Sequence, residues 1–332
     1  MHHAAQGGQT NVVTLPAKEC GVDVNVPDKA GVTPMHAAAA KGQTNVVTLP
    51  AKEYGVDVTV PDKNGVTPMH YAASKGQMNV VTLLAKEYGV DVNIRDKDGA
   101  TPMHYAAAND HTNVVALLAK EYGVGVNVQT ENGATPMHYA AAKGQTIMMT
   151  LLSKEYGIDV NVGDKDGATP MHVAAAKGQT NVVTLLAKEY GVDVNVQTKD
   201  GGTPMHVAAA KDQTSVVTLL VKEYGADVNV RDKNGLTPKS TAARCGQSHI
   251  VALIDRLSTQ CAHFRSQCDA KAVLKCTGCR SVSYCSKEHQ KADWAAHRHG
   301  CKSILKYRET LARQVTSSVK LTKKMKKKGR RK

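Results

Sequence analysis

The chain has 332 residues, is 42% apolar and 22% charged, and carries 43 Lys+Arg against 29 Asp+Glu with 1 Trp, 11 Tyr and 1 Phe. That apolar content excludes wholesale disorder, no run approaches the roughly 18 apolar residues of a membrane-spanning helix, and the opening MHHAAQGGQTNVV lacks the basic then apolar regions of a secretory signal. The charge is uneven: residues 1–254 hold 22 Lys+Arg and 24 Asp+Glu, and residues 255–332 hold 21 and 5, so a near-neutral body precedes a strongly basic C-terminal quarter.

His36, His70, His104, His138, His172 and His206 recur every 34 residues, each in the phrase Thr-Pro-Met-His. A fixed period of this length marks a repeat architecture. The next copy, Thr237-Pro238-Lys239-Ser240, has lost the histidine. Counting back from Met35-His36 gives Met1-His2, so the chain starts inside a repeat, and an array truncated at its N-terminus is expected. In one unit, Thr101 N-caps a helix and Pro102 suits its first turn. Met103, Tyr105 and the small Ala106, Ala107 and Ala108 continue it. A second helix is predicted from about Asn113 to Tyr122, with Val114, Leu117 and Leu118 at i, i+3, i+4, ended by Gly123. An extended Val-x-Val-Asn-Val stretch and an Asp-Lys-x-Gly turn, such as Asp96–Gly99, lead to the next Thr-Pro. No such unit buries its apolar face alone, but stacked units build one continuous core.

The succession Asp-x-x-Gly-x-Thr-Pro-Met-His-x-Ala-Ala, Val-Val-x-Leu-Leu and Gly-Val-Asp-Val-Asn resembles the ankyrin repeat over residues 1–257. The resemblance implies an all-α solenoid of stacked helix-turn-helix units with β-hairpin loops. Pro16 and Pro50 depart from it, standing where Leu84, Leu118, Leu152 and Leu186 stand in later units. A helix-interior proline costs about 3 kcal/mol, so the first two units are expected to be the least stable. The repeated histidine is expected to fix the turn by hydrogen bonding rather than to bind metal, and Cys20 and Cys245 are read as incidental thiols. The resemblance also implies protein binding through hairpin tips and the concave helix face. Two rows vary there. One, before the Asp-Lys turn, reads Pro27, Pro61, Arg95, Gln129, Gly163, Gln197, Arg231; the other, after the histidine, reads Ala37, Tyr71, Tyr105, Tyr139, Val173, Val207, Thr241. These rows are the candidate recognition surface, with neutral drift at exposed sites as the competing reading.

Six of the 8 cysteines lie between positions 261 and 301. Cys276-x2-Cys279 is a knuckle spacing, and Cys285-x3-His289 and His297-x3-Cys301 are i, i+4 pairs able to share a helical face. Cys261 and Cys268 complete a set of six thiols and two imidazoles, the complement of two closed tetrahedral zinc sites. Cys276-x2-Cys279, Tyr284-Cys285-Ser286-x2-His289-Gln290 and Asp293-Trp294-x2-His297-x3-Cys301 resemble the MYND-type finger. That resemblance implies interleaved structural Zn2+ sites, one of Cys261, Cys268, Cys285 and His289, the other of Cys276, Cys279, His297 and Cys301. The family opens with Cys-x2-Cys, but Phe264 occupies the fourth position here, so Cys268 is taken as the substitute and His263 is the alternative. Trp294 is read as the small core of the finger.

Residues 302–332 are read as a helix followed by a basic tail, with nine Lys or Arg among the last thirteen residues. Such a block repels itself, and it is read as an import signal or a solvated end, with at most weak, nonspecific contact to nucleic acid. The expected function is a non-enzymatic adaptor for other proteins in transcriptional or signalling regulation, located in the cytoplasm, the nucleus or both. In this reading the array binds one partner surface. The finger docks a short proline-containing segment, as the MYND resemblance implies. The alternatives are a fragment of a larger MYND-containing enzyme such as a methyltransferase, or a basic-tail nucleic-acid binder. No membrane partner is indicated, and no phosphate-binding glycine loop, HExxH or nucleophile elbow is present.

Overall fold

At each Thr-Pro step the backbone passes from an extended residue into a helix. Thr101 lies at φ −106°, ψ 167°, and Pro102 opens the helix where its missing N–H leaves nothing unpaired. The structure is a computed structural model that describes residues 1–20, 23–262, 274–275 and 283–284. Helices follow one another in pairs: α1 (His2–Gln6) and α2 (Thr10–Cys20), α3 (Pro34–Lys41) and α4 (Thr44–Tyr54), α5 (Pro68–Ser74) and α6 (Met78–Glu87), α7 (Pro102–Ala108) and α8 (Thr112–Glu121). The series continues with α9 (Pro136–Lys143) and α10 (Thr146–Lys154), α11 (Pro170–Ala176) and α12 (Thr180–Thr184), α13 (Pro204–Ala210) and α14 (Thr214–Lys222), α15 (Pro238–Arg244) and α16 (Ser248–Ala262). Helix α12 runs directly into a π-helical turn, Leu185–Glu189.

From α3 to α13 the first helix of each pair contributes a buried methionine and paired alanines, such as Met103, Ala106 and Ala107, and its second helix contributes residues such as Val114, Val115 and Leu118. Alanine faces let neighbouring first helices approach closely, and they pack against one another more extensively than the second helices do. The stack therefore turns its first helices toward the inside of its curve.

The hairpin loops are tight turns without assigned strand among the described residues of the array. Asp96 N–H donates to Ala100 O at 2.9 Å and Gly99 N–H to Asp96 O at 3.0 Å. Successive tips are joined by one backbone bond, for example Lys97 N–H to Asn64 O at 3.0 Å. Gly65 closes one such turn at φ +82°, and a Cβ there would stand 2.8 Å from Lys97 N. The stretch expected to be extended is corrected at its centre. Asp91 Oδ1 accepts the Asn93 N–H at 2.8 Å and Ile94 N–H donates to Asp91 O, so the segment turns. A short aspartate side chain offers its own backbone that local acceptor.

Two side-chain staples join neighbouring units, the first from His36 to His206 and the second from Gln43 to Gln179. His104 Nδ1 accepts the Thr101 N–H at 3.1 Å, which leaves the ring proton on Nε2 to donate to Ala134 O of the following unit at 3.2 Å. The same pair of contacts recurs from His36 to His206. The expectation that this residue fixes the turn is met, and it spans units as well. The last unit keeps only the local half: Ser240 Oγ accepts the Thr237 N–H at 2.7 Å, and no later unit follows. The second staple runs the other way. Gln43, Gln77, Gln145 and Gln179 each donate from Nε2 to a carbonyl 37 residues back, and His111 does the same to Ser74 O at 2.9 Å.

Helix α4 runs unbroken through Pro50, which is buried in the place taken by Leu84 in the next unit. Its carbonyl still accepts the Val56 N–H at 3.3 Å. The ring nitrogen has no hydrogen to return to the Val46 carbonyl one turn back.

Candidate functional site

The row after the histidine lies on the exposed flank of the first helices, and it is only partly free surface. Tyr71, Tyr105 and Tyr139 set their rings edge-on against His36, His70 and His104 of the preceding unit, with centroids 5.0, 5.2 and 4.9 Å apart. Tyr105 Oη donates to Asp96 Oδ2 at 2.7 Å and Tyr71 Oη to Asp62 Oδ2 at 3.4 Å. Burial and these carboxylates push both phenols above the ordinary tyrosine range. The rings are half-buried, and Val173 and Val207 continue the same strip. In the hairpin-tip row both arginines brace their own turns, and Arg95 also reaches the next one. Arg95 Nη1 donates to Gly99 O at 3.0 Å and Gln129 O at 2.9 Å, and Arg231 Nη1 to Gly235 O at 2.7 Å. Pro27 and Pro61 line a shallow groove between the first hairpins, together with Tyr54, Val56 and Val60.

Beside these variable rows lies a nearly constant one. Four residues beyond the tyrosine row stand Lys41, Lys75, Asn109, Lys143, Lys177 and Lys211, all exposed. A spacing of four puts each beside its floor residue on one helical face. That spacing is readable in the sequence, but nothing there distinguishes it from the ordinary preference for cations at helix C-termini.

The histidines carry no metal or acid–base chemistry in this setting. Burial holds His36, His70, His138 and His172 below the usual imidazole range and His104 at about 4. Both ring nitrogens are committed to the scaffold. Among the described residues no cluster of three or more His, Cys, Asp or Glu is placed to hold a metal. Cys245 is a free, exposed thiol.

Helix α16 carries the chain without interruption to Cys261, the first expected zinc ligand. Cys268, Cys276, Cys279, Cys285, His289, His297 and Cys301, with His263, Trp294 and the basic tail, lie outside the described residues. Two short strands frame the knuckle segment: β1 (Leu274–Lys275) pairs antiparallel with β2 (Ser283–Tyr284), Leu274 opposite Tyr284 and Lys275 opposite Ser283. Cys276 directly follows β1 and Cys285 directly follows β2 in the sequence. Six thiols and two imidazoles form a donor set that suits zinc, which takes sulfur and nitrogen ligands in closed tetrahedral sites.

The family described as "Ankyrin repeats (3 copies)" matches residues 1–96, 51–130, 103–198, 156–232 and 190–262, and the family "MYND finger" matches residues 260–301. Among curated proteins the chain is 48% identical over 43 residues to Tudor domain-containing protein 1 of Oryzias latipes, covering 13% of this chain and 4% of that protein. It is 44% identical over 45 residues to the Hypoxia-inducible factor prolyl hydroxylase of Caenorhabditis elegans, covering 14% and 6%. It is 45% identical over 47 residues to MYND-type zinc finger protein samB of Aspergillus clavatus, covering 13% and 8%. The chain thus spans under a tenth of the length of each of these relatives, over stretches about as long as the finger match. No described helix is long and apolar enough to cross a membrane. Stacked helix pairs, histidine staples and family matches along residues 1–262 agree: the chain belongs to the ankyrin-repeat family and carries a C-terminal MYND zinc finger, so it is built from protein-interaction modules.

Proposed function

We propose that the protein is a non-enzymatic adaptor acting in the cytoplasm or nucleus, in which the array holds one partner and the finger docks a short proline-containing segment of a regulatory protein. The observation that carries this reading is where the buried polar groups go. Each ring nitrogen of the repeated histidines is bonded to the scaffold, while the exposed groups form long rows along the first helices. Rows of this kind suit an extended partner better than a small substrate, which a concave pocket would enclose. Two linked modules would raise avidity when one partner offers both sites.

Two structural zinc ions complete the proposal. Cys261, Cys268, Cys285 and His289 would hold one, and Cys276, Cys279, His297 and Cys301 the other. The metal would supply folding energy to a segment too short to build a sizeable core. Lys275, Arg280, Lys287 and Lys291 would favour the thiolate forms. The function is tested by cross-linking the full chain in cells and comparing it with two variants, Tyr71→Ser/Tyr105→Ser/Tyr139→Ser and Cys276→Ser/Cys279→Ser. The adaptor reading expects two separable partner sets, each lost with its own module. Loss of both sets, or of neither, in both variants would sink it.

A further inference from the structure

The exposed flank of the first helices bears a row of charge that the scaffold leaves unused. Lys41, Lys75, Lys143, Lys177 and Lys211 occupy one position in five units, all exposed, and among the described residues none is ion-paired. A helix C-terminus accounts for one favourable cation at each site. It does not account for what the aligned row faces. Each lysine after Lys41 stands four residues after a floor residue, so the row runs parallel to a strip of Tyr71, Tyr105, Tyr139, Val173 and Val207.

Packed helices lie roughly 8–10 Å apart, and that sets the spacing of the residues that bear the ammonium groups. A polyproline II segment rises about 3.1 Å per residue with three residues per turn, so every third side chain faces the same way at intervals of about 9 Å. A β-strand alternates its faces with a period of two, so its third residue would point away. We infer that this face binds an acidic polyproline II segment, with a carboxylate at every third residue against the lysine row and proline or aliphatic residues on the tyrosine and valine floor. Half-buried tyrosine rings with fixed edges suit proline side chains, whose conformational cost of ordering is low. Asn109 interrupts the row, so the partner residue facing it is neutral.

This inference rests on the interaction reading of the array and gives the partner its chemistry. The chain's own tail has the wrong charge, with nine cations among its last thirteen residues. A nucleic-acid backbone has the right charge, but on the opposite border of the floor stand the buried Asp62 and the partly exposed Asp96, which accept the Tyr71 and Tyr105 hydroxyls. A duplex, broader than a single peptide, would meet the Asp96 carboxylate.

The test uses the full chain and two synthetic peptides of one composition. One carries Glu at every third position among Pro and Ala; the other carries its Glu residues in a single block. Fluorescence anisotropy should show the periodic peptide binding about tenfold more tightly. Lys75→Gln/Lys143→Gln/Lys177→Gln should abolish that preference with the thermal transition unchanged. Lys63→Gln/Lys97→Gln/Lys165→Gln, on the hairpin tips, should retain it. Equal affinity for the two peptides, or a preference that survives loss of the row, overturns the proposal. An oligonucleotide held more tightly through the same lysines overturns it in favour of a nucleic acid. Cellular partners that remain cross-linked to the row variant would leave the adaptor reading intact and reject only this partner chemistry.

Discussion

A single buried histidine does two jobs in each unit because its two ring nitrogens take opposite roles. Nδ1 accepts from the threonine that precedes the helix, and Nε2 donates into the next unit. His104→Ala would leave the Thr101 N–H unpaired and take one of two donors from the Ala134 carbonyl, which keeps the Thr130 N–H at 2.9 Å, and a buried polar group without a partner costs about 1–3 kcal/mol. Urea denaturation should therefore show a loss of about 1–3 kcal/mol. The same arrangement makes the array sensitive to acid. A histidine in the unfolded chain takes up its proton near pH 6.5, whereas burial delays that event in folded His104 to about 4. The unfolded state thus binds the proton first as pH falls. Stability present above pH 6.5 declines toward pH 4, by about 3 kcal/mol for this residue alone at roughly 1.4 kcal/mol per unit. Burial lowers His36, His70, His138 and His172 in the same direction. Chemical denaturation at a series of pH values should show the midpoint falling across that window, and a midpoint independent of pH would contradict the buried neutral state.

Among the elements, α2 and α4 stand apart because each contains a proline where later second helices contain a buried leucine. The helix geometry survives at Pro50, so the cost is stored as a missing hydrogen bond and a smaller apolar contact rather than as a break. Pro50→Leu should stabilise the array by up to about 3 kcal/mol. Native-state hydrogen exchange should then show slower exchange in α3 and α4, which in the unchanged protein should open before the units beyond them. In a linear stack each unit is held by its neighbours, so a weak interface at one end loosens that end first.

At the scale of the molecule, a near-neutral array precedes a strongly basic C-terminal quarter, and the two call for different measurements. Zinc analysis of the purified chain should give two ions per molecule. Cys268→Ala should lower that number if Cys268 completes the first site, and an unchanged number would favour His263. Removal of residues 317–332 should abolish any binding to duplex DNA and its dependence on salt, since such binding would be electrostatic. Binding retained without the tail would revive a nucleic-acid role for the rest of the chain.

The 34-residue period of Thr-Pro-Met-His determined the stack by itself, because a proline-started helix, an alanine face and a glycine stop are local instructions repeated in phase. The donor types and spacings likewise identified the finger from residues lying close together in sequence. How units are joined follows from the stacked fold alone, since His104 reaches Ala134 and His111 reaches Ser74, partners 30 and 37 residues away that no local pattern specifies. The tertiary structure also showed that the tyrosine row is half scaffold, and it drew out the lysine row beside it. Exposure and side-chain pairing depend on the curvature and packing of whole units, and these exist only once the units are stacked.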